Sequence, residues 1–418
     1  MQEQSDPGPL SGITVIEMGQ LIAGPFCGQM LAWFGATVIK IESPGKGDPL
    51  RSWRELDTDG TSFWWRSQAR NKHSVTIDLG QQAGRDIVSD LLAEADVLIE
   101  NFRPGKMESW GFGPEQLKEL NPRLVMTRVS GYGQSGPLRT KPGFASACEA
   151  MGGFRYLNGF PDRPPVRPNL SLGDTLAGMH AVIGTMMALY HRDRSDGDTA
   201  SSTGAGQVVD VSIMESVFNM LEGVVPEYSG AGVVREPSGS TLTGIVPTNT
   251  YKCRDGKYVV IGGNGDSIFN RLMKVAGRAD LADDPRLRHN PGRVEHEKEI
   301  DAVLQEWAAM HDSQELLTLL EEAEVPSGPI YSVADMFEDE HYQARGLFEE
   351  VSYATPTSDN SERERSLVMP SMHPRLEDTP GSNRWAGQEL GADTKEILHR
   401  YLGLSDEQLH KLESTGVI

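Results

Sequence analysis

The chain has 418 residues, which allows two or three domains of ordinary size and a large core without disulfides or metal. Its 39 basic and 60 acidic residues give a formal net charge of −21. Nucleic acids and anionic membrane surfaces require a basic binding face, so this balance excludes both as partners. A small anionic ligand is compatible with it, because one local cluster of Arg and Lys can bind such a ligand.

The cysteines predict neither disulfides nor a zinc site. Cys27, Cys148 and Cys253 are odd in number and far apart, which fits a reducing cytoplasm. The first nine residues lack the charged and apolar regions of a signal peptide. The longest apolar stretch, residues 179–190, is shorter than the ~20 residues of a membrane helix and contains His180. We therefore expect a cytoplasmic protein without a membrane segment.

The first half of the chain alternates strand-like and helix-like runs. The strand-like runs lie at residues 13–18, 37–42, 74–79, 96–100, 124–130 and 207–213. The helix-like runs lie at residues 25–34, 82–95 and 173–192, and the last is so apolar that we expect it to be buried on most faces. Strands separated by helices of this length predict βαβ units with a parallel sheet.

The second half predicts a smaller α/β domain and a return of the chain. Residues 251–262 resemble a hairpin turning at 254–257, after a linker-like stretch at 229–240. The predicted helices are residues 267–275, 295–310, 313–322, 394–402 and 405–414. Ser405 is a suitable N-cap for the last helix. Residues 355–383 are polar and contain proline, which predicts a long surface excursion.

Two glycine-rich segments follow predicted strands. Residues 131–136 read GYGQSG, a literal GxGxxG, but Pro137 and Pro142 stand where a dinucleotide-binding helix would begin. We therefore expect a turn leading into a loop. Residues 262–265 read GGNG and precede a helix, so this segment is either an anion cradle or a tight turn. The sequence leaves those two interpretations open.

The common motifs for metal, phosphate and hydrolase chemistry are missing from the sequence. There is no P-loop, no HExxH and no GxSxG, and the ten histidines have no metal-ligand spacing. We therefore predict no metal site.

Asp174 stands at the start of the most apolar helix-like run, and two interpretations of it are compatible. Asp is a preferred N-cap, worth ~1 kcal/mol to a helix. A carboxylate at a helix N-terminus also stays ionised, and it can attack a carbonyl to form a covalent acyl intermediate. Gly173 beside it would let a bulky substrate approach the backbone.

Basic residues cluster near predicted strand ends in the first quarter of the chain. They are Lys40, Lys46, Arg51, Arg54, Arg66, Arg70, Lys72, Arg103 and Lys106. In open α/β sheets, ligands bind beyond the carboxyl ends of the strands, so residues 70–72 and 101–105 are candidates for clamping phosphates. The alternative is a solvated face that offsets the acidic surplus.

Several ordered motifs resemble those of class III (family III) CoA-transferases, over about the whole chain. They are LSGI at 10–13, AGP at 23–25, FGATVIKIE at 34–42, PGKGD at 44–48, NK at 71–72, ENFRPG at 100–105, GYGQSGP at 131–137, LGD at 172–174 with Gly178, VPSGPI at 325–330 and GLS at 403–405. Several motifs in a fixed order are far more specific than any one of them.

The resemblance implies an α/β fold with a Rossmann-like large domain, containing a parallel sheet, and a smaller α/β domain. We expect residues 10–225 to form the first part of the large domain, 226–334 the small domain, and 335–418 a return to the large domain. Two subunits are expected to form an interlocked homodimer. No nucleic acid, membrane or permanently bound cofactor is implied, because coenzyme A and acyl-CoA are substrates.

The resemblance also implies a mechanism and a set of site residues. Asp174 would be the nucleophile that attacks an acyl-CoA thioester and carries acyl and CoA groups in turn. Ile22, Ala23, Lys72 and Arg103 would line the CoA site. Gly173 would leave room for the substrate.

The same family contains α-methylacyl-CoA racemases, CoA-ligand isomerases and formyl-CoA:oxalate-type transferases, which are the alternative functions. Similar racemases carry Gly-His-Asp where this chain reads GFA at 143–145, and the phenyl ring of Phe144 cannot move a proton. Formyl-CoA transferases carry a Gly-rich loop where residues 239–246 read GSTLTGIV. The first difference favours CoA transfer over racemisation, and the second favours acids other than formate and oxalate. The family's usual His before Thr394 is Asp393 here, and the sequence does not explain it.

The residues around Asp174, RPNLSLGD at 167–174, look most like members that act on succinyl-CoA and C4–C5 dicarboxylates. Candidate acids are mesaconate, malate, citramalate, itaconate and glutarate. A second carboxylate needs a cationic partner, and Arg51, Arg54 or Arg167 could supply it.

Overall fold

The computed structural model describes residues 8–194, 204–356 and 362–418. Its strands are β1 Thr14–Glu17, β2 Thr37–Glu42, β3 Lys72–Thr76, β4 Val97–Glu100, β5 Val125–Ser130, β6 Val208–Ser212, β7 Thr248–Lys252, β8 Tyr258–Gly262, β9 Ser327–Pro329, β10 Phe348–Pro356 and β11 Glu362–Pro370.

The helices are distributed between and after these strands. They are α1 Ala23–Trp33, α2 Phe63–Gln68, α3 Gln82–Glu94, α4 Lys106–Ser109, α5 Pro114–Leu120, α6 Ala145–Met151, α7 Phe154–Leu157, α8 Leu172–Asp193, α9 Ile213–Phe218, α10 Val224–Ala231, α11 Asp266–Val275, α12 Ala279–Ala282, α13 Asn290–Glu295, α14 Glu297–Ala308, α15 Ser313–Glu322, α16 Val333–Glu338, α17 Glu340–Ala344, α18 Thr394–Leu402 and α19 Asp406–Ser414.

The chain divides into two compact units, and the first carries the predicted parallel sheet. This unit comprises residues 8–153, 168–221 and 343–418, apart from the stretches that the structure does not describe. Its six strands run in the order β3-β2-β1-β4-β5-β6, and all their pairings are parallel. This is the strand order of a Rossmann-like sheet, so the predicted fold class is confirmed.

Alternating residues of the central strands fill two cores, one on each face of the sheet. Val15, Val38 and Val97 face α1 and α8. Their neighbours Ile16, Ile39 and Leu98 face α3, α18 and α19. Because the last two helices come from the end of the chain, the second face is closed only when the C-terminal segment returns to this unit.

Asp393 fastens that returning segment to the edge strand β3. Its carboxylate accepts the Ser74 N–H at 2.8 Å and lies 3.3 Å from Nδ1 of His73, while its own N–H donates to the Ser74 carbonyl at 3.0 Å. Asp393 is also the residue that precedes α18. The structure thus gives this unusual residue a role in holding α18 against the sheet.

The second unit comprises residues 154–167 and 222–342. The three-stranded antiparallel sheet β7-β8-β9 packs with α11, α14 and α15 around one apolar core. The hairpin expected at 251–262 is confirmed as β7 and β8. Residues 154–167 belong to this unit, although the sequence placed them within the first large segment.

Three expectations about individual segments were wrong in part. Residues 348–356 and 362–370 form the antiparallel strands β10 and β11, which extend into the stretch 355–383 expected to be a surface excursion; residues 357–361 lie outside the described part. The linker expected at 229–240 begins inside α10. One face of α8 is exposed, at Met179, Ile183, Met187 and Tyr190, whereas burial on most faces was expected.

Of the described residues, only α8 forms a helix long and apolar enough to cross a membrane. Core helices pass the same test, and Ala177, Ala181 and Leu189 of α8 are buried in the first core. The cytoplasmic location stays a prediction.

Candidate functional site

The candidate site lies at the topological switch point of the sheet, between the neighbouring strands β1 and β4, where the strand order reverses. The chain leaves β1 toward β2 and leaves β4 toward β5, so the loops after these two strands flank a crevice, which is where open α/β sheets bind ligands. Asn101 joins the two loops, since it accepts the N–H of Gln20 and donates to the Gln20 carbonyl, both at 2.8 Å.

Three of the four residues predicted to line a CoA site lie in these two loops or at the helix start that follows one of them. Ile22 is the last residue before α1 and Ala23 is the first residue of that helix, and both are buried. Ile22 supplies no side-chain cap to α1. Arg103 lies in the loop after β4 and is exposed. The structure therefore brings Ile22, Ala23 and Arg103 to the same end of the sheet.

Lys72, the fourth predicted residue, is inside the protein. It is 2% exposed, pairs with Glu17 at 2.8 Å and donates to the Pro25 carbonyl at 2.6 Å. Burial, only partly offset by Glu17, lowers the pKa of its ammonium to about 8. The ammonium of Lys72 therefore stabilises the first turn of α1 from inside the protein, and it is too buried to contact a phosphate.

Asp174 lies in the first turn of α8 and is not its N-cap, which corrects the sequence interpretation. The helix begins at Leu172, after Ser171, whose carbonyl accepts the N–H of Thr175 at 3.0 Å. Residues 172 and 173 therefore already have helical conformation. Asp174 is partly buried, and its carboxylate still lies where the helix dipole favours negative charge.

Glu149 on α6 accepts a backbone hydrogen bond from the start of α8, and it is a site residue that the sequence did not reveal. Its carboxylate accepts the N–H of Gly173 at 3.0 Å, and the residue is 0% exposed. A Cβ at Gly173 would lie 3.0 Å from Cγ of Glu149, so glycine allows this close approach. The available signal was a lone carboxylate in the apolar run ACEAM at 147–151.

The first turns of α8 pack directly on the start of α1. A Cβ at Gly178 would lie 2.9 Å from the Ala23 carbonyl oxygen and 2.9 Å from Cβ of Phe26. Asp174 precedes Gly178 by four residues and therefore lies on the same side of the helix. The predicted nucleophile is thus one helical turn from the contact with the start of α1, where the predicted CoA-site residue Ala23 lies.

The GYGQSG segment is a loop, as predicted, and it contacts α6. The described chain forms no helix between β5 and Ala145, and the N–H of Gln134 donates to Asp210. A Cβ at Gly131 would lie 3.2 Å from Sγ of Cys148. Burial raises the pKa of the Cys148 thiol, and the charges of Asp174 and Glu149 raise it further. The thiol therefore stays protonated beside the carboxylates.

The arginines proposed to bind a second carboxylate have different surroundings. Arg51 binds both oxygens of Glu42, at 2.8 and 2.7 Å, and donates to the Gln388 carbonyl at 3.0 Å, so its guanidinium is already used. Arg54 is exposed, has a φ of +59° and stacks over Trp64 at 4.4 Å. Arg167 is exposed in the second unit.

Phe144 immediately precedes α6 and is 74% exposed. Its ring can contact a ligand, but it offers no atom for proton transfer.

The GGNG segment at 262–265 begins with the last residue of β8 and connects that strand to α11 in the second unit. Asp266 begins α11, and its carboxylate binds Arg293 and His289, each at 2.8 Å. A carboxylate already occupies this helix start, which disfavours the anion-cradle interpretation. In the described residues, no group of three or more His, Cys, Asp and Glu side chains is placed to hold a metal.

Comparison with known proteins decides the family. The model of CoA-transferase family III matches residues 10–394. The chain belongs to this family. As a family III CoA-transferase it is an enzyme whose substrates are CoA thioesters.

Curated relatives match this CoA-transferase over nearly its full length. It is 44% identical over 418 residues to succinyl-CoA–D-citramalate CoA-transferase of Chloroflexus aurantiacus, with 100% of both chains covered. It is 38% identical over 412 residues to the beta subunit of succinyl-CoA–L-malate CoA-transferase of the same organism, covering 98% of each. It is 31% identical over 410 residues to mouse succinyl-CoA:glutarate CoA-transferase, covering 98% of this chain and 90% of the mouse protein.

A solved structure supports the fold of this CoA-transferase. A CAIB/BAIF family protein from Brucella suis superposes with a TM-score of 0.81 at 31% identity, covering 94% of this chain and 99% of that one.

Proposed function

We propose that this enzyme transfers CoA from succinyl-CoA to a C4–C5 dicarboxylate through a covalent intermediate on Asp174. The observation that carries the proposal is the carboxylate of Asp174 in the first turn of α8, one turn from the contact with the start of α1, the helix that follows the loop after β1. Succinyl-CoA and diacids such as citramalate, malate and glutarate are the substrates named for the relatives. Mesaconate and itaconate have the same size and charge.

The proposed reaction uses the carboxylate of Asp174 as a temporary carrier. It attacks the thioester carbonyl of succinyl-CoA, forming a mixed anhydride and releasing CoA thiolate. The thiolate attacks the Asp174 carbonyl, which releases succinate and leaves CoA on Asp174. The acceptor carboxylate then attacks this thioester, which forms a second mixed anhydride on Asp174 and frees CoA thiolate. The thiolate attacks the acceptor acyl carbon of that anhydride, which gives the new acyl-CoA and releases the carboxylate of Asp174. Splitting one difficult exchange into such steps is the advantage of covalent catalysis.

Residues of both crevice loops would receive the CoA portion. Ile22 and Ala23 border the position proposed for the thioester, since α8 contacts Ala23 at Gly178. Arg103, exposed in the loop after β4, is suited to a phosphate. We assign Lys72 a supporting role, because its ammonium is bound to Glu17 and Pro25. Gly173 would serve the close approach of Glu149 rather than leave room for the substrate, and Phe144 would offer an apolar contact.

Arg54 is our choice for the second carboxylate of the substrates. All three guanidinium nitrogens of Arg51 already donate hydrogen bonds to Glu42 or to the Gln388 carbonyl, so Arg51 has little capacity for another anion. The guanidinium of Arg54 stacks on Trp64 and leaves its N–H edge available for a carboxylate. Arg167 is the alternative, since it is also exposed.

Replacing Arg54 by alanine should separate diacids from monoacids. We expect kcat/KM for a diacid acceptor to fall about 10- to 100-fold, which is the value of one charge-assisted hydrogen bond. A monocarboxylic acceptor such as butyrate should react as slowly with the variant as with the wild type. Arg167→Ala is the matched control. A larger loss of diacid activity in that control would transfer the assignment to Arg167.

A substrate screen tests the proposed function itself. Purified enzyme is incubated with succinyl-CoA and each diacid, and new CoA esters are identified by mass spectrometry. We expect transfer to at least one C4–C5 diacid and no exchange of the substrate α-proton with solvent. Proton exchange without an acceptor acid would indicate an isomerase or racemase, and transfer only between formate and oxalate would indicate the other transferase class.

We also propose that the enzyme is a homodimer in solution. Four large apolar side chains form a stripe along the exposed face of α8, at Met179, Ile183, Met187 and Tyr190. Contiguous exposed apolar surface of this kind marks interaction sites. Light scattering after gel filtration should give twice the chain mass. Met187→Glu should weaken the dimer, whereas Leu120→Glu on the separate helix α5 should not. A monomeric wild type would contradict this proposal.

A further inference from the structure

A buried ion pair holds the loop between β1 and α1. Lys40 donates to the Gly19 carbonyl at 2.8 Å, and Asp48 accepts the N–H of Leu21, with both carboxylate oxygens 3.1 Å from the nitrogen. Nζ of Lys40 also lies 3.0 Å from Oδ2 of Asp48, and the two residues are 1% and 2% exposed. Two points of the loop are therefore tied to one pair of charges that solvent does not reach.

Leu21 has an unusual backbone conformation in this loop. Its φ of +64° lies in the left-handed region, which is unfavourable for a residue with a side chain. The N–H of Leu21 donates to Asp48 in this conformation. Because Ile22 and Ala23 follow directly, the conformation of Leu21 sets where α1 begins relative to β1. Backbone strain of this kind occurs preferentially at functional sites.

Both members of the pair are charged at neutral pH. Burial opposes charge on Lys40, but Asp48, Glu17 and Glu42 outweigh it and raise the pKa of the ammonium. Burial likewise opposes charge on Asp48, but Lys40 and the N–H groups it binds lower the pKa of the carboxyl. Removal of one member would leave the other buried without its partner, which is strongly unfavourable.

The same network reaches the first turn of α1. Glu17, which is 0% exposed, pairs with Lys40 at 3.0 Å and with Lys72 at 2.8 Å, and Lys72 binds the Pro25 carbonyl. Gly28 of α1 is so close that a Cβ there would lie 1.8 Å from the Glu17 carboxylate. The helix start thus rests on the network as well as on the loop.

We propose that Asp48 is a positioning residue for CoA transfer, which with Lys40 fixes the left-handed conformation of Leu21 and so places Ile22 and Ala23 against the thioester. The inference rests on the proposed function, because it takes this loop as the place where the thioester binds. Asp48 is buried and does not touch the substrate. A displacement of about 1 Å in a substrate-positioning loop is enough to lower a rate about 10²-fold.

Asp96 provides a matched control at the opposite end of β1. Its carboxylate accepts the N–H of Thr14 at 2.9 Å and pairs with Arg192, which is 2% exposed, at 3.0 Å. Asp48 and Asp96 therefore make the same kinds of contact around one strand. Only Asp48 does so at the end where the crevice lies.

The test compares kcat, the single-turnover rate of enzyme acylation and Tm in Asp48→Asn, Asp96→Asn and the wild type, with succinyl-CoA as donor. We expect Asp48→Asn to lower kcat and the acylation rate about 10²-fold. Asp96→Asn should lower Tm while kcat stays within about threefold of wild type. Adding Leu21→Gly to Asp48→Asn should recover about tenfold in kcat, because glycine adopts the left-handed conformation without cost.

Asp48→Glu covers the case in which Asp48→Asn does not fold. It keeps the charge but shifts the acceptor by about one bond, so kcat should fall about tenfold at nearly unchanged Tm. Wild-type kcat in the folded Asp48 variants, an equal loss in Asp96→Asn, or no recovery with Leu21→Gly would overturn the inference. A wild-type enzyme that transfers no CoA to any diacid would instead overturn the proposed function.

Discussion

Replacing Asp174 by asparagine is expected to lower CoA transfer at least about 10⁴-fold, the largest effect of any single substitution in this chain. An amide cannot attack the thioester or carry the acyl group, while its size and polarity suit the first turn of α8. Asp174→Ala should give the same loss. Transfer is measured as the conversion of succinyl-CoA and citramalate into succinate and citramalyl-CoA.

Ser171→Ala is the control for this substitution. Ser171 precedes α8, but its side chain makes no capping hydrogen bond, so the variant should keep its helix and its rate. Circular dichroism of both variants establishes that they are folded. An Asp174→Asn enzyme that turns over at the wild-type rate would show that the carboxylate is not the nucleophile.

Replacing Glu149 by alanine is expected to lower kcat about 10²-fold with a smaller change in KM. Glu149 binds the Gly173 N–H beside Asp174, so its removal frees the start of α8 to shift. It also leaves a buried donor without its partner, which costs about 1–3 kcal/mol of stability. Steady-state kinetics and thermal unfolding measure the two effects separately.

Glu149→Gln distinguishes positioning from charge. Glutamine keeps a carbonyl oxygen that can accept the Gly173 N–H, so we expect kcat to return to within about tenfold of wild type. If the glutamine variant is as slow as the alanine variant, the negative charge of Glu149 itself is needed. Unchanged kcat in both variants would contradict a role for this contact.

Much of the fold could be predicted from local pattern. The strand over residues 37–42 and the helices over 313–322 and 394–402 were predicted with their observed bounds, because β-branched runs and amphipathic periods are strong signals. The strand pair β10–β11 was not predicted, because its sequence is rich in charged and polar residues, which are typical of a loop as well as of a surface strand. Its pairing depends on contacts that polar composition does not indicate.

The candidate site was predictable only where a residue's type determines its role. Asp174 could be singled out as a carboxylate at a helix start, but its place in the first turn depends on where Leu172 becomes helical. Lys72 and Arg51 looked like anion binders, yet Lys72 on β3 pairs with Glu17 of β1, two strands away, and Arg51 pairs with Glu42 of β2. Such pairings depend on strand order, so a sequence cannot distinguish a buried ion pair from an exposed binding group.

Oxygen labelling tests the central claim that Asp174 carries the CoA and acyl groups. The enzyme turns over with succinyl-CoA and an acceptor diacid whose carboxylates contain ¹⁸O, and the peptide containing Asp174 is then weighed by mass spectrometry. Cleavage of the final anhydride at the acceptor carbon leaves one ¹⁸O on Asp174, so we predict that this peptide gains the label. An active enzyme whose Asp174 peptide gains no ¹⁸O would contradict the covalent route.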